Sequence, residues 1–216
     1  MLPTANGIKP DHRIIAEIVT ISSSVLDLGC GDGELLALLV REKNVRAQGI
    51  EVDDKAIFAC VKRGLSVFHG DIDSGLSDYE DTSFDFVILN QSLQQVKRPS
   101  AVVQEALRVG RKVIIGIPNF AHINARIQIF FRGRTPVTGA LPYEWHDTPN
   151  LHFLSILDFI EYCRKRRITI EEVHFIGTKR RVRRFPNLFA QTGIFIVSGK
   201  KGNTQRQNSQ EKQDGR

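Results

Sequence analysis

The 216-residue chain has no apolar run long enough to cross a bilayer. Met1 is not followed by the charged, apolar and small-residue succession of a secretory signal. A cytoplasmic location without a membrane role is the expectation. Cysteine is scarce: Cys30, Cys60 and Cys163 form an odd, widely separated set. Their spacing fits neither a disulfide framework nor a metal site, so reduced thiols and no bound metal are expected. No internal repeat is visible. A strong charge of one sign is also lacking once the charge is placed. The formal net charge is +6, but Lys200, Lys201, Arg206, Lys212 and Arg216 against Glu211 and Asp214 put half of it beyond Gly199. What remains gives no general ground for nucleic-acid binding.

Hydrophobic residues make up 41% and charged residues 25%, ordinary values for a globular protein. The length fits one domain over 1–199 with a substantial core. Beyond it, 200–216 is rich in Gln, Asn, Lys and Gly without apolar period and is expected to be disordered. Within the domain, strand and helix patterns alternate. Ile14 to Val19 reads as a short amphipathic helix. Strands are expected at Val25 to Leu28, Arg46 to Glu51, Val67 to His69, Phe84 to Leu89 and Lys112 to Ile117. Asp53 can cap a helix to about Arg63, and Pro99 starts one to Leu107. Ser155 and Asp158 have capping-box spacing before a helix to about Arg166. Ile168 to Phe175 and Thr192 to Val197 read as two late strands. Repeated βα units imply a mostly parallel sheet covered by helices on both faces.

The chemistry starts at Val25-Leu26-Asp27-Leu28-Gly29-Cys30-Gly31-Asp32-Gly33, which runs straight into an apolar helix pattern from Glu34. A buried strand turns on three glycines and opens a helix. A backbone this bare lets a ligand approach closely, and the helix start offers free N–H groups. Ligands of open α/β sheets bind beyond the carboxyl ends of the strands. There the chain places Asp27 and the glycines, then Glu51, then Gly70-Asp71, then Asn90-Gln91-Ser92. An acid ending the second strand can accept hydrogen bonds from both hydroxyls of a ribose. The third glycine arrives one position early for a dinucleotide fingerprint, and the Gly-Lys-Ser/Thr of a P-loop is absent. An acid before Gly-x-Gly-x-Gly suits a ligand without phosphate but with a cationic group, such as an amino acid joined to adenosine.

Through its first 117 residues the chain thereby resembles class I S-adenosylmethionine-dependent methyltransferases. The resemblance implies a Rossmann-like fold with a mostly parallel central sheet of about seven strands. It implies S-adenosylmethionine as cofactor. Asp27, Gly29, Cys30, Gly31 and Gly33 would hold its methionine part. Glu51, with Val52, would bind the ribose, Asp71 and Ile72 would border the adenine, and Asn90 and Gln91 would close the site.

A narrower resemblance covers nearly the whole chain to Gly199. Leu26 to Leu36, Ser92 to Val96, Arg108 to Arg111 and Pro118-Asn119-Phe120 are similar to the MetW proteins of methionine biosynthesis. So are Leu141 to Asn150 and Leu188-x-x-x-Thr192. This implies a role at the homoserine acylation step, alongside a homoserine O-acyltransferase as partner. It supplies no methyl acceptor.

Methyl transfer from a sulfonium needs alignment and exclusion of water, and a base only if the acceptor must lose a proton. The segment Asn119 to His152 is a candidate lid, acceptor pocket or partner surface, and His146, Tyr143 and His122 are its candidate catalytic residues. Asp147 stands beside His146. Arg126, Arg132 and Arg134 flank Ile127, Ile129, Phe130 and Phe131 in an amphipathic pattern suited to the sheet or to another protein. Lys179 to Arg184 is a dense basic run, most simply a solvated loop. No Asp-Pro-Pro-Tyr-like element follows the fourth strand, which weighs against amino-group methylation of nucleic acid. Three functions follow. The first is a small-molecule methyltransferase. The second is a non-catalytic or regulatory partner subunit of homoserine O-acyltransferase. The third is an RNA or DNA methyltransferase that needs the basic run.

Overall fold

The computed structural model describes residues 7–178 and 180–199. The proposed tail 200–216 and Lys179 lie outside the described residues. Seven strands form one sheet in the order β3-β2-β1-β4-β5-β7-β6. They are β1 (Ser24–Leu28), β2 (Arg46–Glu51), β3 (Ser66–His69), β4 (Phe84–Asn90), β5 (Gly110–Pro118), β6 (Thr169–Ile176) and β7 (Thr192–Ser198). All neighbours from β3 to β5 pair in parallel, while β7 runs antiparallel to both β5 and β6. The expected mostly parallel, seven-stranded sheet is therefore the observed one.

The helices are α1 (Pro10–Ile18), α2 (Glu34–Lys43), α3 (Asp54–Lys62), α4 (Pro99–Val109), α5 (Ile123–Arg132), α6 (Ile156–Arg166) and the single turn α7 (Pro186–Phe189). The core lies on both faces of the sheet. Val87 and Leu89 of β4 pack under α4 and α6 with Val102, Val103, Ala106, Phe159 and Cys163. Phe86 and Ile88, one residue out of step, pack under α1 and α2 with Ile14, Ile15, Leu36 and Leu39. The period of two along a strand sends alternate side chains to opposite faces. Hence a continuous apolar run such as Phe86 to Leu89 is what a strand covered on both sides requires. Each fully buried Leu or Ile contributes about 1.5–3 kcal/mol of transfer free energy.

Local signals explain the helix limits. Asp53 accepts from the Ala56 N–H and caps α3. Ser155 and Asp158 form a complete capping box at α6, with Ser155 Oγ and N–H both on the Asp158 carboxylate. The first helix begins at Pro10 rather than Ile14, because Pro10 supplies the first helical φ and Asp11 the acidic first turn.

The antiparallel β7 has a positional consequence. Its first residue, Thr192, sits opposite Pro118 at the end of β5 and opposite Ile176 at the end of β6. The described residues between β6 and β7 therefore lie on the carboxyl edge of the parallel strands, beside the 119–155 segment that leaves β5. Asn119 fastens the two together by donating to the carbonyls of Asn187 and Ala190. No described helix is long and apolar enough to cross a membrane.

Candidate ligand site at the carboxyl edge of the sheet

The glycine loop joins β1 to α2 with Gly29, Gly31 and Gly33 all at positive φ, +76°, +54° and +77°. The reasons differ along the loop. A Cβ on Gly33 would stand 2.5 Å from Leu65 Cδ1 and 2.8 Å from Cys60 Sγ, so packing as well as backbone excludes one. A Cβ on Gly31 would meet nothing within 4 Å. Only backbone conformation demands glycine there, and the space above it is open to a ligand.

Glu51 closes the loop from the next strand. Its Oε2 accepts from the Gly31 N–H at 2.8 Å, and its Oε1 accepts from Val52 N–H at 2.8 Å and Asp53 N–H at 3.1 Å. Three backbone donors thus fix the carboxylate at the mouth of the loop. Val52 itself is exposed. Cys30 is buried under the loop, and burial pushes its thiol pKa well up, so it is a packing residue rather than a nucleophile. The Cys60 thiol donates to the Gly31 carbonyl at 3.1 Å and braces the loop from α3.

Asp27 lies in the middle of the sheet, opposite Gly49 of β2 and Ile88 of β4, and is only 2% exposed. Burial, reinforced by the charge of Glu51, raises its pKa to about 7. A buried carboxyl in that state takes up a proton or accepts a cationic neighbour.

The remaining expected residues sit along the same edge. Gly70 N–H donates to the Glu51 carbonyl, which sets Asp71 and Ile72 beside the end of β2. Asp71 caps the turn Ile72–Ser74 by accepting from Asp73 N–H at 2.9 Å. Ser92 Oγ donates to the Leu28 carbonyl at 2.8 Å and ties the end of β4 to the glycine loop. Gln91 adopts φ +60° and its carbonyl accepts from the amides of Gln94 and Gln95. Asn90 Nδ2 donates to Asp11 at 2.9 Å, while Asn90 Oδ1 is buried without a hydrogen-bond partner. Gln94 Oε1 and His152 Nε2 are likewise buried and unpartnered. His152 borders a recess of about 310 Å³ between α4 and α6, with Leu93, Val103 and Phe159. A buried polar atom left unpaired costs about 1–3 kcal/mol, so these atoms mark where a ligand or water belongs.

The structure also brings up residues that the sequence pattern did not single out. Asp11 reaches Asn90, and Lys9 pairs with Glu34 at 2.8 Å. The start of α1 therefore lies across the glycine loop. The Lys9-Pro10-Asp11 helix start was the available signal.

The three catalytic candidates are placed differently. His122 is a buried cap: its Nδ1 accepts from Asn124 N–H at 3.2 Å, and burial lowers its pKa. Tyr143 and His146 lie in the exposed segment after α5, and His146 faces Glu144 at 3.6 Å rather than Asp147. Arg180, Arg181, Arg183 and Arg184 line an open basic hollow on the same edge with Val182 and Phe185, and Arg181 is paired with Glu17.

Comparison with solved structures gives the fold. A S-adenosylmethionine-dependent methyltransferase from Thermotoga maritima superimposes with a TM-score of 0.62, at 17% identity, over 88% of this chain and 87% of that one. The cyclase SpnF matches with a TM-score of 0.62, at 17% identity, over 87% of this chain and 79% of that one. The fold is the Rossmann-like class I methyltransferase fold, and the cyclase illustrates that the fold alone does not fix the reaction.

The family follows from sequence. The chain belongs to the methionine biosynthesis protein MetW family, whose profile matches residues 9–197. It is 36% identical over 207 residues to the bifunctional methionine biosynthesis protein MetXA/MetW of Rhodopirellula baltica. That match covers 89% of this chain but 33% of the relative, so the chain spans about a third of the length of the curated relative it matches.

Proposed function

We propose that this chain binds S-adenosylmethionine at the β1–α2 edge and serves methionine biosynthesis at the homoserine acylation step, as a partner subunit of a homoserine O-acyltransferase. The observation that carries the cofactor reading is the union of a buried acid, an open glycine loop and a fixed carboxylate at one strand edge. Asp27 offers a counter-charge to the ammonium of the methionine part. The loop at Gly31 leaves room for the ligand. Glu51 stands ready to accept from ribose hydroxyls. The unpaired Asn90 Oδ1 fits a donor on the ligand or its water. When bound, the cofactor supplies a methyl group already activated by a sulfonium.

Two observations support the partner role over an independent enzyme. The relative carries MetXA and MetW in one bifunctional protein. Of the catalytic candidates, His122 is committed as a helix cap and the other two stand in an exposed segment. A cofactor that derives from the pathway's end product can shift such an assembly by its differential affinity for two states.

A second reading, methyl transfer to a small molecule, is favoured by the recess beside His152, whose unpartnered Nε2 could orient an acceptor. Titration calorimetry with S-adenosylmethionine and S-adenosylhomocysteine tests the cofactor site, with Glu51→Ala as control. The expected outcome is binding by the wild type and a loss of at least about 100-fold in the variant, from two charge-assisted hydrogen bonds. Absence of binding to folded wild type overturns the cofactor reading. Acyltransferase assays with and without this chain, beside a labelled-methyl assay, separate the two roles.

A further inference from the structure

Helix α5 leaves the sheet edge and buries almost nothing: of its 10 residues only Ala125 is buried. Ile127 is 47% exposed, Phe130 81% and Phe131 77%. The apolar surface does not end there. The Gln128 side chain bonds Val137 in both directions and holds the following segment against the helix. Arg134, Val137 and Trp145 then share one hollow, and Trp145 shares the next with Phe120, Tyr143 and Phe153. An apolar band therefore extends from α5 through the segment held by Gln128 to Phe153, flanked by Arg126, Arg132 and Arg134 and by the acid Glu144.

At roughly 200 Å² per aromatic side chain, Phe130, Phe131, Trp145 and Phe153 alone expose about 600 Å². Monomers rarely leave more than about 300–600 Å² of contiguous apolar surface open. Half of a standard protein interface is about 800 Å², and interfaces between domains of one chain start near 600 Å².

The geometry points to this band as the docking surface for the homoserine O-acyltransferase, with an acidic rim on the acyltransferase meeting Arg126, Arg132 and Arg134. The inference rests on the partner reading given above and locates it. Three occupants can be weighed. The chain's own remaining residues do not suit: 200–216 contain no apolar residue, and 1–6 offer only Met1, Leu2, Pro3 and Ala5. A second copy is disfavoured by charge, because a two-fold pairing centred on this face brings the basic rims of both copies together. None of the three arginines forms an ion pair among the described residues. The acyltransferase has positive support. In the Rhodopirellula relative, the MetW-like third is joined to the MetXA part in one protein, so the two parts are held at high effective concentration. A folded domain working beside such a neighbour needs a face for it, and this band has the required size and apolar centre.

The test is surface-plasmon or calorimetric binding of the homoserine O-acyltransferase from the same organism to the full chain. It uses Phe130→Glu with Phe131→Glu, Trp145→Glu, and Arg132→Glu with Arg134→Glu. S-adenosylmethionine binding and circular dichroism verify that each variant is folded. Wild-type binding that weakens at least tenfold in the aromatic variants and becomes less salt-sensitive in the arginine variant supports the proposal. Wild-type binding that every variant retains places the interface elsewhere and overturns it, while leaving the partner reading intact. No binding by the wild type overturns both. A dimer by light scattering that the aromatic variants dissolve assigns the band to self-association and overturns it as well.

Discussion

Over β1 and β2 the carboxyl edge is braced by hydrogen bonds between backbone and side chains: Gly31, Val52 and Asp53 all donate to Glu51, and Ser92 reaches across to Leu28. Over β5 the same edge gives way to a segment whose rings stand in solvent, Phe130, Phe131 and Trp145 among them. The first region holds polar groups in fixed geometry inside an apolar frame, which is how small ligands are positioned. The second offers area without geometry, which suits a large partner whose own surface completes the packing. On the proposed reading, a single sheet separates recognition of a small molecule from recognition of a macromolecule. Each half of that comparison can be broken by substitution.

The largest effect is expected at Asp27. Its pKa is about 7 in the fold against 3.8 for the ordinary side chain. Between those values the folded protein binds more protons than the unfolded one, so ligand-free stability falls as pH rises from about 4 to about 7. A shift of roughly three units amounts to about 4 kcal/mol. Asp27→Asn removes this term. Urea denaturation should find the variant close to wild type near pH 4.5 and more stable by up to about 4 kcal/mol at pH 8. A cation bound beside Asp27 reverses the preference, so wild-type affinity for S-adenosylmethionine should rise with pH through 7 and the variant's should not. A stability difference that is constant with pH would remove Asp27 from the ligand-facing half of the comparison.

The glycine loop gives the next effect. Gly33→Ala combines left-handed backbone strain with a clash against Leu65 and the fully buried Cys60. The expected cost is about 3 kcal/mol, or roughly 10 °C in Tm by calorimetry. Gly31→Ala meets no neighbour and should cost only about 1 kcal/mol of strain. Its main effect should be on ligand affinity, since the added methyl enters the open space above the loop. Equal losses at the two positions would mean that the loop is a tight joint and not a cradle.

What the sequence makes legible follows the same division. The parallel half of the sheet is readable because its signals are local: apolar runs, glycines at a strand-to-helix turn, Asp53 and Ser155 as caps. The residues expected to form the site, from Asp27 to Gln91, fall along one edge because strand ends in parallel sheets share it. The order in which β6 and β7 pair is not readable, because either could lie beside β5 and their order is settled by packing against β5 and α6. His122 looks like a base in the sequence and is a cap in the fold, since capping depends on where α5 starts. The amphipathic period of α5 is legible, but a period says only that one face wants cover. The structure adds that neither the sheet nor the described segments supply it.

The smallest expected effect is the most telling for the second region. Phe130→Ser with Phe131→Ser removes two large rings, a change that costs several kcal/mol in a core. Both rings are more than three-quarters exposed, so the unfolding free energy should move by no more than about 0.5 kcal/mol and Tm by about 2 °C. S-adenosylmethionine affinity should be unchanged, because neither ring touches the glycine loop, Glu51 or Asp27. Thermal denaturation and titration of the same preparation give both numbers. A loss of several kcal/mol would show that α5 folds back onto the sheet in solution, as a lid over the ligand edge. The division between the two regions would then be one of state rather than of place. A near-silent substitution leaves α5 as a surface whose apolar content is explained only by what binds it.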